Sequence, residues 1–467
     1  MRMIREERDS IGTKIVPADV YYGIQTLRAL ENFPVSGIRE RPEFVRAYVL
    51  VKKAAAITNM ELGALDTERG RAIVQAADEA LEGRFDDQFP VDVFQAGAGT
   101  SFNMNVNEVL ANRALEILGK NRGEYQYLSP NDHVNCSQST NDTFPTASHV
   151  AILAQANHLL DALSALSAAF RKKAGEFKAV HKSGRTHLMD ALPLTLGNEF
   201  SAYGNALQRS AERVRDRREA LFEVAFGGTA IGSGANTPPG FTGRAIACLS
   251  DLSALPLVPA RDGYEALQSR AQMVAFSGSL RELALELIRI ANDLRLLSSG
   301  PATGLAEITL PPVQPGSSMM AGKVNPVMAE CMDMIAFRVV GNDTVISLAS
   351  QAGQLEVNVM TPVMTHTILE SLALLNNFLP VFRARCVEGI NADPEKCRHY
   401  LETNPILSTL LIPKVGYRKA AELAEESFRK KIAVVPLAIA HGYLTQAEAD
   451  RIMDQIFGMT EKKGRGS

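Results

Sequence analysis

Apolar residues return at helical spacing along most of the chain. Leu280, Leu283, Leu287, Ile290, Leu294 and Leu297 alternate steps of three and four, the seam of a helix packed against near-parallel neighbours. From Pro42 the same periodicity carries Phe44, Tyr48, Val51, Ala55 and Met60. It predicts further helices over 67–81, 106–118, 146–177, 194–222, 326–350 and 362–379. Residues 15–23 read as a short extended piece and a turn, and no run of alternating strands stands in the middle of the chain. The pattern therefore predicts a mainly all-α protein whose residues 150–385 form one bundle of very long helices. Asn391-Ala-Asp-Pro394 marks a boundary, which gives an N-terminal domain over 1–137, a central long-helix domain over 138–392 and a small C-terminal helical domain over 393–467 with a basic, Gly-rich tail.

Four dense polar runs interrupt this pattern. The first, Gln95-Ala-Gly-Ala-Gly-Thr-Ser-Phe-Asn-Met-Asn105, lacks a G-x-G-x-x-G spacing and a lysine-serine pair, so it does not read as a nucleotide loop. In the second, at 131–145, Ser137, Ser139, Thr140, Asn141 and Asp142 are too many to cap one helix, whose N-terminus offers only about four free N–H groups. The third is Lys182-Ser-Gly-Arg-Thr-His-Leu-Met-Asp190, where a lone histidine such as His187 is more often a packing residue than a catalyst. The fourth, Gly316-Ser-Ser-Met-Met-Ala-Gly-Lys-Val-Asn-Pro326, follows Pro311, Pro312 and Pro315 and leaves through an N-cap residue and a proline at the first helical position. It reads either as an ordinary capped loop or as a serine pair, lysine and amide placed to hold and deprotonate a carboxylate.

Composition narrows these readings. A chain of 467 residues with 46% apolar and 22% charged residues is an ordinary globular composition of about two or three domains. A net charge of −3 and the lack of basic blocks argue against nucleic acid as a partner. No run approaches ~18 apolar residues, so no membrane partner is expected. The charged start Met-Arg-Met-Ile-Arg-Glu-Glu-Arg-Asp does not read as a secretory signal, and five scattered cysteines without a Cys-x-x-Cys pair read as reduced thiols of a cytoplasmic protein. No carboxylate or histidine set has metal-ligand spacing, and no metal or cofactor is expected. Hydroxyls, amides, one helix N-terminus and a lysine suit a small polar anion. Loss of a proton beside a carboxylate requires preorganised donors and a cation to hold the resulting dianion, and a serine in a mobile Gly-flanked loop can close over that carbon.

The fourth run resembles the signature loop of the aspartase/fumarase superfamily. Tyr21–Phe33, Gly97-Ala-Gly-Thr-Ser101, the run at 131–145, Gly184-Arg-Thr-His187 and Asn292–Pro301 resemble the same family in the same order, so the likeness covers nearly the whole chain. It implies a homotetramer with a twenty-helix core and active sites assembled from three subunits. Gly97-Ala-Gly-Thr-Ser101, Ser137-Gln-Ser-Thr-Asn141 and Gly123-Glu-Tyr-Gln-Tyr127 are similar to the ammonia-releasing branch, whereas Asp142-Thr-Phe-Pro-Thr146 and Thr186-His-Leu-Met-Asp190 have a hydratase flavour. The implied activity is release of ammonia from L-aspartate. The alternatives are hydration of fumarate or carbon–nitrogen cleavage of an N-substituted aspartate, and, from another class, an inactive scaffold.

The resemblance also implies roles. Ser317 takes the proton from Cβ, His187 lies near the amino group with Asn141, and Glu330 orients His187. Ser318, Thr100, Ser139 and Thr140 hold the carboxylate that becomes the aci-anion, and Lys323, Asn325 and Thr186 hold the other. A partner for His187 favours function over packing. Ala321 and Ala302 depart from the family pattern, which has a proline and an arginine at these places.

Overall fold

A computed structural model describes residues 4–462, with side chains through residue 454; the basic tail lies outside the described residues. The helical expectation holds. Helix α1 spans Ile24–Asn32, α2 Pro42–Glu61, α3 Thr67–Leu81, α4 Thr100–Ile117 and α5 Thr140–Glu176. Then come α6 over Leu196–Arg218, α7 over Phe241–Ser253, α8 over Gly263–Gln268, α9 over Ala271–Leu297, α10 over Val327–Gln351, α11 over Thr361–Arg385 and α12 over Pro394–Thr403. Two of these begin earlier than the apolar periodicity predicts. Thr100 to Asn105 and Thr140 to Pro145 are polar enough to read as loop, yet they form the first turns of α4 and α5. Burial replaces periodicity as the driving force there: Asn103, Asn105, Asp142 and Thr143 are all shielded from solvent and hydrogen-bonded inside the protein.

Strands are few and short. β1 (Ile4–Asp9) pairs antiparallel with β2 (Gly12–Pro17), extending the expected N-terminal piece into a hairpin. β3 (His181–Thr186) pairs antiparallel with β4 (Met189–Thr195), with Thr186 opposite Met189 and a two-residue turn of His187 and Leu188. This hairpin gives the third polar run a regular structure that the apolar periodicity did not predict. Both turn residues have positive φ, 55° and 60°, the two-residue geometry that matches strand twist and normally selects Asn-Gly.

The chain forms two compact units. The first comprises the chain up to Asp161, Glu212–Ala284 and Phe337–Asn376; the second comprises Ala162–Ala211, Leu285–Ala336 and the chain from Asn377. The N-terminal segment thus joins one part of the long helices, and the C-terminal segment another. In the first unit Phe44 and Tyr48 of α2, Phe102 of α4 and Phe144 of α5 make one aromatic cluster, with Phe44 and Phe144 ring centres 4.8 Å apart. Such tilted and edge contacts are favourable beyond area burial, and they fix the starts of α4 and α5. In the second unit Phe170, Phe177, Phe200 and Tyr203 pack α5 against α6.

Candidate active site

The first unit holds Thr100, Ser139, Thr140 and Asn141; the second holds Thr186, His187, Ser317, Ser318, Lys323, Asn325 and Glu330. All four polar runs contain backbone with positive φ. Ala98 (60°) and Gly99 (87°) precede Thr100, Ser137 (61°) precedes Ser139, His187 and Leu188 form the β-turn, and Gly322 (78°) precedes Lys323. For non-glycine residues this conformation costs on the order of 1–3 kcal/mol each and clusters at functional sites.

In the first unit Thr100 is exposed at the start of α4 and lines a cavity of about 670 Å³ with Arg28, Ser101, Glu108 and Asn131. Burial pushes the Glu108 carboxyl up to about 7, against hydrogen bonds from Thr26 and the backbone of Gln25 and Gly23. The segment before α5 is fixed by Asp142. Its carboxylate accepts hydrogen bonds from the Ser139 N–H at 3.0 Å and from the Gly227 and Thr229 N–H groups at 3.0 and 2.9 Å. Burial raises Asp142 to about 6, and these three N–H groups with the nearby Lys52 pull the other way. The Gly-rich turn after α6 therefore serves as a clamp on the substrate-loop candidate, and Asn141 Nδ2 donates to Ala230 O in the same turn. Asn141 is thus already engaged within its unit.

In the second unit the Thr186–His187 hairpin is exposed at its tip and pinned at its base. Glu307, fully buried, accepts two hydrogen bonds from Arg185 at 2.8 and 3.0 Å and pairs with Lys182 at 2.6 Å, while Lys182 also meets both oxygens of Glu199. Asn404 donates to Ser183 Oγ and to Ala191 O, one contact on each strand.

The fourth run closes on itself. The Gly316 N–H donates to Lys323 O at 2.7 Å and Asn325 Nδ2 donates to Gly316 O at 2.7 Å, making a neck beneath residues 317–322. A Cβ at Gly316 would lie 2.6 Å from Lys323 O, so only glycine fits there. Ser317 Oγ accepts from the Met319 and Met320 N–H groups at 3.1 and 2.9 Å. Two amide donors on one hydroxyl oxygen favour its deprotonated form. Ser317 and Lys323 line a cavity of about 440 Å³ with Gln314 and Met320. Ser318 and Lys323 are exposed, and Asn325 serves the neck. Among the described residues no ion pair joins Glu330 to His187, and no group of three or more His, Cys, Asp or Glu side chains is placed to hold a metal ion.

Sequence reasoning passed over two residues that build these surroundings, Lys52 and Glu307, and it gave Asp142 no role beyond membership of a crowded polar run. Lys52 had a legible signal. It lies one turn after Tyr48, on the apolar face of α2, where an unpaired lysine is out of place.

A protein-family model described as Lyase matches residues 12–341, and one described as Fumarase C C-terminus matches residues 407–460. The family model spans most of the chain, and with the relatives below it makes the protein a lyase: the chain belongs to the lyase family of the aspartase/fumarase superfamily. Over 450 residues it is 49% identical to an aspartate ammonia-lyase of Bacillus subtilis, covering 96% of this chain and 95% of that one. It is also 46% identical over 450 residues to a class II fumarate hydratase of Neisseria meningitidis, covering 96% and 97%. A crystal structure of a fumarate lyase:delta crystallin from Brucella melitensis bound to cobalt superposes with a TM-score of 0.95 at 46% identity, covering 98% of this chain and 100% of that one.

Proposed function

We propose that this lyase releases ammonia from L-aspartate by reversible anti-elimination, giving fumarate through an aci-carboxylate intermediate. The observation that carries the mechanism is the pair of backbone N–H groups on Ser317 Oγ, which lowers the cost of the alkoxide that must take the Cβ proton. Ser318, Thr100, Ser139 and Thr140 donate to the carboxylate on which charge builds, and such donors are most effective when fixed in advance. The Asp142 clamp supplies that rigidity for Ser139. Lys323, Asn325 and Thr186 hold the second carboxylate. Asn141 and His187 face the leaving amine, with Glu330 as the positioning residue for His187. Among the described residues Glu330 and His187 form no ion pair; in the proposed homotetramer that contact is made between chains.

An uncovered helix face supports assembly. α10 buries Ala329, Met332, Ala336, Val339 and Ile346 on one side, yet leaves Met334, Phe337, Val345 and Leu348 exposed on the other. A helix apolar on both sides is normally enclosed. Free cysteines at all five positions fit a cytoplasmic protein. The reaction as written needs no cofactor.

Fumarate hydration is the second reading, favoured by the 46% identity to a fumarate hydratase. Fumarate absorbance followed with L-aspartate and then with L-malate separates the two. Turnover of aspartate is expected; turnover of malate alone would sink the leading reading. Ser317→Ala is expected to abolish turnover with helicity and assembly size unchanged, and substantial residual activity would remove Ser317 as the base.

A further inference from the structure

Lys52 is fully buried in the first unit, and nothing in the mechanism above uses it. Its Nζ donates to Asn103 Oδ1 at 2.7 Å, Gln138 Oε1 at 2.9 Å and Asn135 Oδ1 at 3.0 Å. An ammonium has three protons and no acceptor, so all three are spent on side-chain carbonyls and none on a carboxylate. Burying a charge is costly unless it is fully satisfied, and apolar replacements of buried charges are often neutral or stabilising. Packing alone therefore gives no reason for an ammonium at this place.

What it gathers gives the reason. Asn103 stands one turn after Thr100 on α4, whereas Asn135 and Gln138 flank the turn that leads to Ser139, Thr140 and Asn141. Gln138 passes the hold to the backbone, since its Nε2 donates to Val134 O at 2.9 Å, just before that turn, and to Cys136 O at 3.0 Å, within it. Asn135 Oδ1 also accepts from Asn107 Nδ2 of α4 at 3.1 Å. Further along α2, Asn59 Nδ2 donates to Cys136 O, and its Oδ1 accepts from Ser137 Oγ at 2.8 Å, bracing the residue whose φ is 61°. Tyr48, one turn before Lys52, joins its hydroxyl to Asn103 and to Thr143 of α5.

We infer that Lys52 is a positioning residue: its ammonium locks the Ser139–Asn141 segment in register with α4, so that Thr100, Ser139 and Thr140 converge on one carboxylate. The inference rests on the dicarboxylate-lyase reading. Loss of one proton from Lys52 would turn a donor into a lone pair facing a carbonyl oxygen. Burial pulls the Lys52 amine down to about 7, opposed by Asp142 at the start of α5; with Tyr48 on its own helix, these are the titratable groups that bear on it. The lock therefore loosens as pH rises through the neutral range.

The test compares wild type, Lys52→Met and Gln138→Met by steady-state kinetics from pH 6.5 to 8.5. KM is read with whichever of L-aspartate and L-malate is turned over, or as fumarate affinity by calorimetry if neither is. Lys52→Met is expected to raise KM at least tenfold at pH 6.5 with kcat less affected, to keep wild-type circular dichroism, and to lose the rise of KM with pH seen in wild type. Gln138→Met, on the half-buried loop, is expected to shift KM in the same direction, and it decides alone if Lys52→Met does not fold. A variant with wild-type KM and pH profile overturns the inference. Wild type inert on both substrates fails the substrate reading, whereas an active wild type matched by the variants fails this one.

Discussion

Gly99 stands one residue before Thr100 with a φ of +87°, and a Cβ placed on it would lie 2.0 Å from a ring carbon of Phe144. Two penalties coincide there. The left-handed conformation costs a side chain roughly 1–2 kcal/mol, and forcing a methyl against a buried ring adds typically about 1–3 kcal/mol. Gly99→Ala is thus expected to destabilise by about 2–5 kcal/mol, read as a fall in the urea midpoint at fixed protein concentration, and to raise KM because Thr100 moves with it. Gly119→Ala is the control. It has a φ of +70° but open space around the Cβ, so it carries the strain alone and a loss of about 1–2 kcal/mol. Equal losses for the two would show that the Phe144 ring yields without cost. At this scale residue type matches backbone geometry at Gly99 and Gly322, whose positive φ suits glycine. The sequence was silent on Ala98, Ser137 and Leu188, whose positive φ is imposed by surrounding structure and has no signature in residue type.

At the scale of elements, long helices with a regular apolar seam were legible because burial itself writes that period. The β3–β4 hairpin was not. Its turn residues are His187 and Leu188 where Asn-Gly would announce such a turn, and its strands are held by buried ions rather than by alternating apolar side chains. Glu307 supplies that hold from a loop more than a hundred residues away, a distance over which periodicity carries no information. Removing its charge leaves Lys182 paired with Glu199 alone, and Arg185 with only the longer-range pull of Glu199 and Asp190. Breaking one side of a buried ion pair costs about 3–5 kcal/mol, so Glu307→Gln is expected to lower the melting temperature by several degrees. Since Thr186 and His187 ride on the hairpin tip, kcat/KM is expected to fall as well. A melting curve superimposable on wild type would show that the cluster contributes no net stability.

On the scale of the whole molecule, the substrate-binding candidates lie in two units, and the exposed side of α10 supplies a reason for chains to associate. Met334, Phe337, Val345 and Leu348 are 63, 57, 41 and 61% exposed, and with Gly341 they recur at steps of three and four along about four turns. Full burial of such side chains stabilises by roughly 1.5–3 kcal/mol each, and each copy of the chain contributes its own stripe. A closed symmetric assembly repeats the contact at every equivalent face. One aspartate in the stripe is therefore met several times over. Phe337→Asp combined with Leu348→Asp is expected to yield a smaller species in sedimentation velocity while far-ultraviolet circular dichroism stays close to wild type, because the opposite face of α10 remains packed. Under the proposal that each site draws residues from several chains, activity is expected to disappear with the large species. A double variant that keeps both its size and its turnover would place the assembly contact elsewhere; one that loses size but keeps turnover would show that each chain holds a complete site.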